Sequence, residues 1–120
     1  MIPLAARDIS VCKTTSASVS EEEAIGFLQE ISQWSIVKVD NINTLKRELA
    51  LKDFNDALNF ANHIGELAEQ ANHHPSITIE WGKVTVSWWT HTIKGLHIND
   101  FIMAARSDDV FELMQQSDDQ

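Results

Sequence analysis

The chain is predicted to adopt an α+β fold, a four-stranded antiparallel sheet with three helices on one face, in the order α-ββ-α-ββ-α. Three observations lead there. Three stretches carry apolar residues at helical spacing, and each follows a residue able to cap a helix: Ser20, Asp53 or Asn99. Two pairs of short β-branched runs are each joined by a tight turn, which makes hairpins. Within each pair the connection is too short for a parallel crossover.

Residues 1–19 have weak periodicity, and "KTTSASVS" reads as a flexible lead-in. Ser20 and Glu23 have the spacing of a capping box, in which each side chain satisfies the other's free backbone N–H. A helix is therefore expected from about Glu21 to Ile31, with Ala24, Phe27, Leu28 and Ile31 on one face. "WSIVKVD" (34–40) is β-branched and short, hence a strand. "NIN" (41–43) supplies the turn, and "TLKRELAL" (44–51) the returning strand. Asp53 can cap a helix from Phe54 to about Asn72. Its wide apolar face has Phe54, Leu58, Ala61, Gly65 and Ala68 in one stripe beside Ala57, Phe60, Ile64 and Leu67, as suits a helix laid across a sheet. Gly65 costs about 1 kcal/mol against Ala in mid-helix, and a close backbone approach would account for it. Pro75 enforces the stop.

The second hairpin pairs "SITIEW" (76–81) with "KVTVSWWTH" (83–91) around Gly82. Alternation places Val84, Val86 and Trp88 on one face and Thr85, Ser87, Trp89 and His91 on the other. Gly95 ends the strand, and Asn99 can cap a last helix carrying Phe101, Ile102, Ala105, Phe111 and Leu113. The division is then a lead-in at 1–19, one domain at 20–115 and an acidic tail at 116–120.

At 120 residues the chain has room for one modest core. Its 9 basic and 18 acidic residues leave a net charge of -9, which argues against nucleic-acid binding, where dense Lys and Arg are needed. The acid clusters at Glu21, Glu22 and Glu23 and again from Ser107 onward, at Asp108, Asp109, Glu112, Asp118 and Asp119; both read as solvated helix faces or a frayed end. The single cysteine, Cys12, excludes an internal disulfide and fits a reducing compartment. With no signal-peptide-like run and nothing near the ~20 apolar residues of a membrane span, a cytoplasmic chain free of the membrane is expected.

The chemistry gathers at "EQANHHPSI" (69–77). Glu69 and His73 are four apart and would share the face of a last helical turn. The helix C-terminus and the carboxylate both favour an imidazolium at His73, and burial opposes it. Histidine is the side chain suited to exchange a proton near neutral pH. His74 would line the same cleft from the turn that Pro75 fixes. Packing against the helix dipole, a zinc site and acid/base catalysis are all open from these residues alone, though zinc lacks a second ligand pair at the usual spacing. His63 and His97 read as surface residues.

The longer string is Glu69-x3-His73-His74-Pro75-x5-Trp81-x9-His91-x8-Asp100. It resembles the signature of the pterin-4a-carbinolamine dehydratases. The similarity extends upstream through Trp34, Leu45 and the run Leu49-Ala50-Leu51-Lys52-Asp53-Phe54, and downstream through Val84 to His91, in all roughly residues 20–115. Departures are Leu49 and Leu51 in place of aromatics, Trp88 and Trp89 in place of smaller residues, and Leu96-His97-Ile98 before Asp100.

The resemblance implies elimination of water from 4a-hydroxytetrahydropterin to give quinonoid dihydropterin, without metal or cofactor. His73 and His91 would be the acid/base pair and His74 a catalytic or substrate-binding partner. Glu69 would orient His73, and Asp100 would orient His91 or serve only as a carboxylate at the helix start. Trp34, Pro75, Trp81 and Trp89 are the substrate-contact candidates. The implied partners are a pterin, a pathway linked to aromatic amino acid hydroxylases, and further copies of the chain in a homodimer or homotetramer. A rival reading keeps the fold as a non-catalytic dimerisation module serving a transcription factor or molybdopterin metabolism.

Overall fold

The structure, a computed structural model, describes residues 2–9 and 18–118. Cys12, most of the Ser/Thr-rich stretch and the last two positions of the acidic tail lie outside the described residues. The main elements are α1 (Glu21–Leu28), β1 (Ser35–Val39), β2 (Ile42–Ala50), α2 (Phe54–Ala71), β3 (Ser76–Glu80), β4 (Lys83–Trp88) and α3 (Ile98–Asp118). The strands form one antiparallel sheet in the order β1-β2-β4-β3. This is the α+β architecture expected, with the two hairpins joined through the central β2–β4 pair.

Each hairpin turns on two residues. Val39 pairs with Ile42, so the first turn is Asp40–Asn41, and both have positive φ, 51° and 65°. That is the type I′ geometry matching the twist of the flanking strands, and Asp and Asn tolerate it. The turn therefore starts one residue before the expected "NIN", and Asn43 is in β2. In the second hairpin Glu80 pairs with Lys83, and Gly82 has φ +72. A Cβ there would also sit 3.3 Å from Leu51 O, while Leu51 N–H donates to Gly82 O at 2.9 Å.

The caps at the first two helices are as predicted. Ser20 and Glu23 form the reciprocal capping box of α1, and Asp53 accepts from Asp56 N–H at 2.8 Å at the start of α2. The core lies between the sheet and the helices. Leu45 and Leu49 of β2 pair across to Trp88 and Val84 of β4, and with Val86 all are essentially buried. Against them pack Ala57, Phe60, Ile64 and Ala68 of α2 and Phe101 to Ala104 of α3. Phe27 of α1 meets the Phe101 ring at 5.2 Å. Full burial of each large apolar side chain contributes roughly 1.5–3 kcal/mol relative to exposure, so this interior is the main source of stability.

Several sequence expectations are revised. A helical turn at Leu4–Ala6, within the stretch read as a flexible lead-in, is docked: Leu4 is fully buried, and Arg106 donates to Ala5 O and Arg7 O at 3.2 and 2.7 Å. α3 runs to Asp118, into the supposed tail. Asp108 belongs to no solvated face; it accepts from Trp34 Nε1–H at 2.8 Å and pairs with Arg47 at 2.5 Å. Gly65 has open space where a Cβ would stand, so no close approach explains it.

Candidate active site

α2 ends in a Schellman motif. Asn72 adopts the left-handed conformation, φ 49° and ψ 44°; its N–H reaches Glu69 O at 3.2 Å, and the His73 N–H reaches Ala68 O at 3.1 Å. Asn is one of the few side chains that accepts this conformation at a helix terminus. The chain turns sharply there, so His73 has left the helix surface on which Glu69 sits. The expected Glu69–His73 pair is accordingly absent. Glu69 Oε2 pairs instead with His74 Nε2, an exposed contact, and His73 is carried toward α3.

His73 there meets Asp100. Its Nε2 lies 2.6 Å from Oδ1 of a carboxylate that is fully buried, and the carboxylate can only accept, so the ring nitrogen is the donor. The other oxygen, Oδ2, accepts from Thr90 O–H at 2.7 Å and from His97 N–H at 2.9 Å. The expectation that Asp100 orients His91 is corrected: its imidazole partner is His73. The His73 ring also stacks on Trp88, centroids 5.8 Å apart and planes 19° from parallel. Trp88 is itself held by an Nε1–H bond to Ser107 Oγ at 3.2 Å, and Ser107 donates on to Met103 O at 2.7 Å. His73 thus has its position set on one side by charge and on the other by an aromatic plane.

β4 stops at Trp88, three residues short of the expected end. Thr90 then bridges to Gly95 around a turn in which Lys94 has φ 51°. This brings Thr90 and His91 over to the His73 side. His73, His74 and His91, with Thr90 and Asn99, line one cleft of about 480 Å³ that Ile9, Gln70 to Asn72 and Thr92 complete. That volume lies within the range of small-molecule sites. His91 is exposed at its rim and packs against the Trp89 ring at 4.7 Å.

None of the four substrate-contact candidates lines the cleft. Trp34 is a core residue bonded to Asp108, Trp81 stands 73% exposed on the second hairpin turn, and Pro75 is half-buried beside the histidines. Trp89 borders a smaller groove of about 220 Å³ with Thr44, Ser76 and Ser87, and meets the site at His91. Strand alternation could not foresee this, because the strand ends before Trp89. His97, taken as a surface residue, is half-buried and bonded to Asp100, whereas His63 is exposed as expected. Thr90 and His97 went unnoticed as partners of Asp100; the spacing of His97 to Asp100, that of a capping box, was the available signal. Among the described residues no group of three His, Cys, Asp or Glu side chains is arranged to hold a metal ion, and no helix is long and apolar enough to cross a membrane.

Comparison with known proteins supplies a family. The sequence model of a family described as "Pterin 4 alpha carbinolamine dehydratase" matches residues 17–110. Three relatives bear the name "Putative pterin-4-alpha-carbinolamine dehydratase". The one from Chlorobium luteolum is 46% identical, covering 84% of this chain and 89% of its own. That from Syntrophotalea carbinolica is 43% identical over 91% and 97%, and that from Photobacterium profundum 50% identical over 84% and 90%. A crystal structure of a transcriptional coactivator/pterin dehydratase from Brucella melitensis superposes with a TM-score of 0.71 at 28% identity, covering 78% of this chain and 98% of that one.

Proposed function

The chain belongs to the pterin 4 alpha carbinolamine dehydratase family, and from that premise we propose that it eliminates water from a 4a-hydroxytetrahydropterin. The observation that carries the reading is the convergence of His73, His74 and His91 on one cleft, with His73 backed by the buried Asp100 carboxylate.

The reaction breaks the C4a–O bond, and the hydroxyl leaves as water once it receives a proton. The N5 lone pair forms the new C4a=N5 bond, and the N5 proton passes to a base. With Nε2 engaged by Asp100, His73 addresses the cleft with Nδ1. The carboxylate balances positive charge on the ring, which suits His73 to deliver the proton to the departing hydroxyl. His91, at the rim of the cleft and packed against Trp89, accepts from N5. His74, tethered by Glu69 on the solvent side, contacts the substrate beside His73. Each well-placed proton transfer is worth about 10²–10⁴-fold. Turnover of a synthetic carbinolamine tests the assignment: His73→Ala and His91→Ala are each expected to lose at least ~100-fold in kcat. Near-wild-type turnover in both would overturn it. The setting we propose is cytoplasmic recycling of a pterin used by an aromatic amino acid hydroxylase, performed by a self-associated form of the chain.

The name carried by the Brucella melitensis structure favours a second reading, in which this chain is a protein-binding module. The pH–rate profile separates the two. A catalyst dehydrates the carbinolamine at a rate that depends on pH; a module dehydrates none at any pH.

A further inference from the structure

Helix α3 starts on an imidazole. His97 precedes its first residue, Ile98, and the His97 Nδ1 accepts from Asn99 N–H at 3.1 Å. In return the His97 N–H donates to Asp100 Oδ2 at 2.9 Å. An N-cap side chain bonded into the first turn, with a carboxylate three residues on reaching back to the N-cap N–H, follows the pattern of a capping box, except that the side chain takes the second helical N–H, that of Asn99, in place of the third. That device ordinarily has Ser or Thr at the cap, and here a histidine fills the place. A ring nitrogen accepts only when it carries no proton, so this cap uses a neutral imidazole protonated at Nε2.

The carboxylate that closes the box is the same one that holds His73. Thr90 O–H and His97 N–H both fall on Oδ2, at 2.7 and 2.9 Å, which leaves Oδ1 for the His73 ring at 2.6 Å. A buried carboxylate pinned at one oxygen from two directions cannot swing about its terminal bond, so the direction of Oδ1 is set. We propose that His97 is a positioning residue for His73: its ring fixes the first turn of α3, that turn places the His97 N–H on Oδ2, and Asp100 thereby presents Oδ1 in one orientation. This deepens the reading of the cleft given above and rests on His73 being a working group there. Removing the ring acceptor takes away its bond from Asn99 N–H, loosens the turn and frees the carboxylate to rotate, without touching the substrate.

The experiment compares His97→Ala with His97→Asn, whose side-chain oxygen can restore the N-cap bond. Two quantities are read on the folded protein: the NMR signal of the His73 ring N–H facing Asp100, and steady-state dehydration of a synthetic carbinolamine. In His97→Ala the ring proton signal is expected to broaden or move upfield. In the same variant kcat should fall roughly 10-fold with KM little changed, the scale on which loss of an outer partner disturbs a histidine metal ligand. His97→Asn should keep both the signal and the turnover. The proposal is overturned if His97→Ala retains the wild-type signal and kcat, or if His97→Asn loses the signal. Should His97→Ala fail to fold, the signal in His97→Asn decides alone. A wild-type protein without turnover would end the dehydratase reading, and the ring proton would still decide the role of His97.

Discussion

Asp100 takes three hydrogen bonds on two oxygens while fully excluded from water, and every one of the three donors needs an acceptor there. An amide in its place would turn N–H groups toward at least one donor and leave a buried polar group unmatched. Asp100→Asn is therefore expected to keep the shape of the cleft and to lower kcat by about 10–100-fold, the scale for loss of a partner that orients a histidine, because His73 loses the charge that fixes its ring. Glu69→Ala gives the contrast. The Glu69–His74 pair is solvent-exposed on both sides, so it is worth at most about 1 kcal/mol and its loss should cost turnover less than tenfold. A larger fall for Glu69→Ala than for Asp100→Asn, measured as kcat on the same carbinolamine, would reverse this ranking. The reason the sequence misassigned these partners lies in one residue. Spacing by four implies a pair only while the helix continues, and the left-handed Asn72 ends it one residue before His73. An Asn just ahead of an x-x-Pro stop was a legible sign of that turn. The contact between His73 and Asp100 was not legible, since no local rule relates residues 27 apart.

Within the elements, α2 and α3 offer separate tests. Gly65 is helical, and a Cβ there would meet nothing within 4 Å. Gly65→Ala should raise the unfolding free energy by about 0.5–1 kcal/mol, through the better helix propensity and the smaller entropy of the unfolded chain. Thermal unfolding reads it as an increase in Tm; a decrease would mean the helix surface at Gly65 is covered by something a methyl group displaces. In α3, burial pushes the Asp108 carboxyl above its ordinary value of 3.8, and the bonds from Trp34 and Arg47 offset part of that rise. The folded state then holds this proton more tightly than the unfolded chain. Its contribution is least costly below pH 3.8, and stability attributable to Asp108 falls as the pH rises through the folded value. Asn can still accept from Trp34 Nε1 and Arg47 but does not ionise. Urea unfolding of wild type and Asp108→Asn at pH 3 and pH 6 should show the variant gaining relative stability at the higher pH; an unchanged or opposite difference would exclude the burial effect. The boundaries that sequence periodicity placed well are those with a local chemical cause, such as the Ser20–Glu23 box and the Asp53 cap. Acidic runs are usually solvated, and it is the packing of α3 against Trp34 and Arg47 that turns Asp108 inward.

For the whole molecule the sheet order leaves β1 and β3 as edges, and neither contains a proline within the strand. β1 exposes Ile36 and Val39 (36% and 52%), and β3 exposes Ile79 (37%). An edge with unpaired backbone groups and apolar side chains is a site for strand pairing with another copy. Net charge opposes such pairing, because each copy brings -9 to the encounter. Screening decides the balance: at ~0.15 M salt the Debye length is about 8 Å, and repulsion between exposed charges farther apart than that is largely lost. Sedimentation at fixed protein concentration is therefore expected to show a larger associated fraction at 0.15 M salt than at 0.01 M, where the Debye length is about 30 Å. A lysine at position 36 or 39 should shift the population toward monomer. Because those positions lie outside the buried core, the far-ultraviolet circular dichroism of the monomer should be unchanged. Association that weakens with salt would point to ionic contacts, and association that survives both Ile36→Lys and Val39→Lys would place the interface elsewhere than β1.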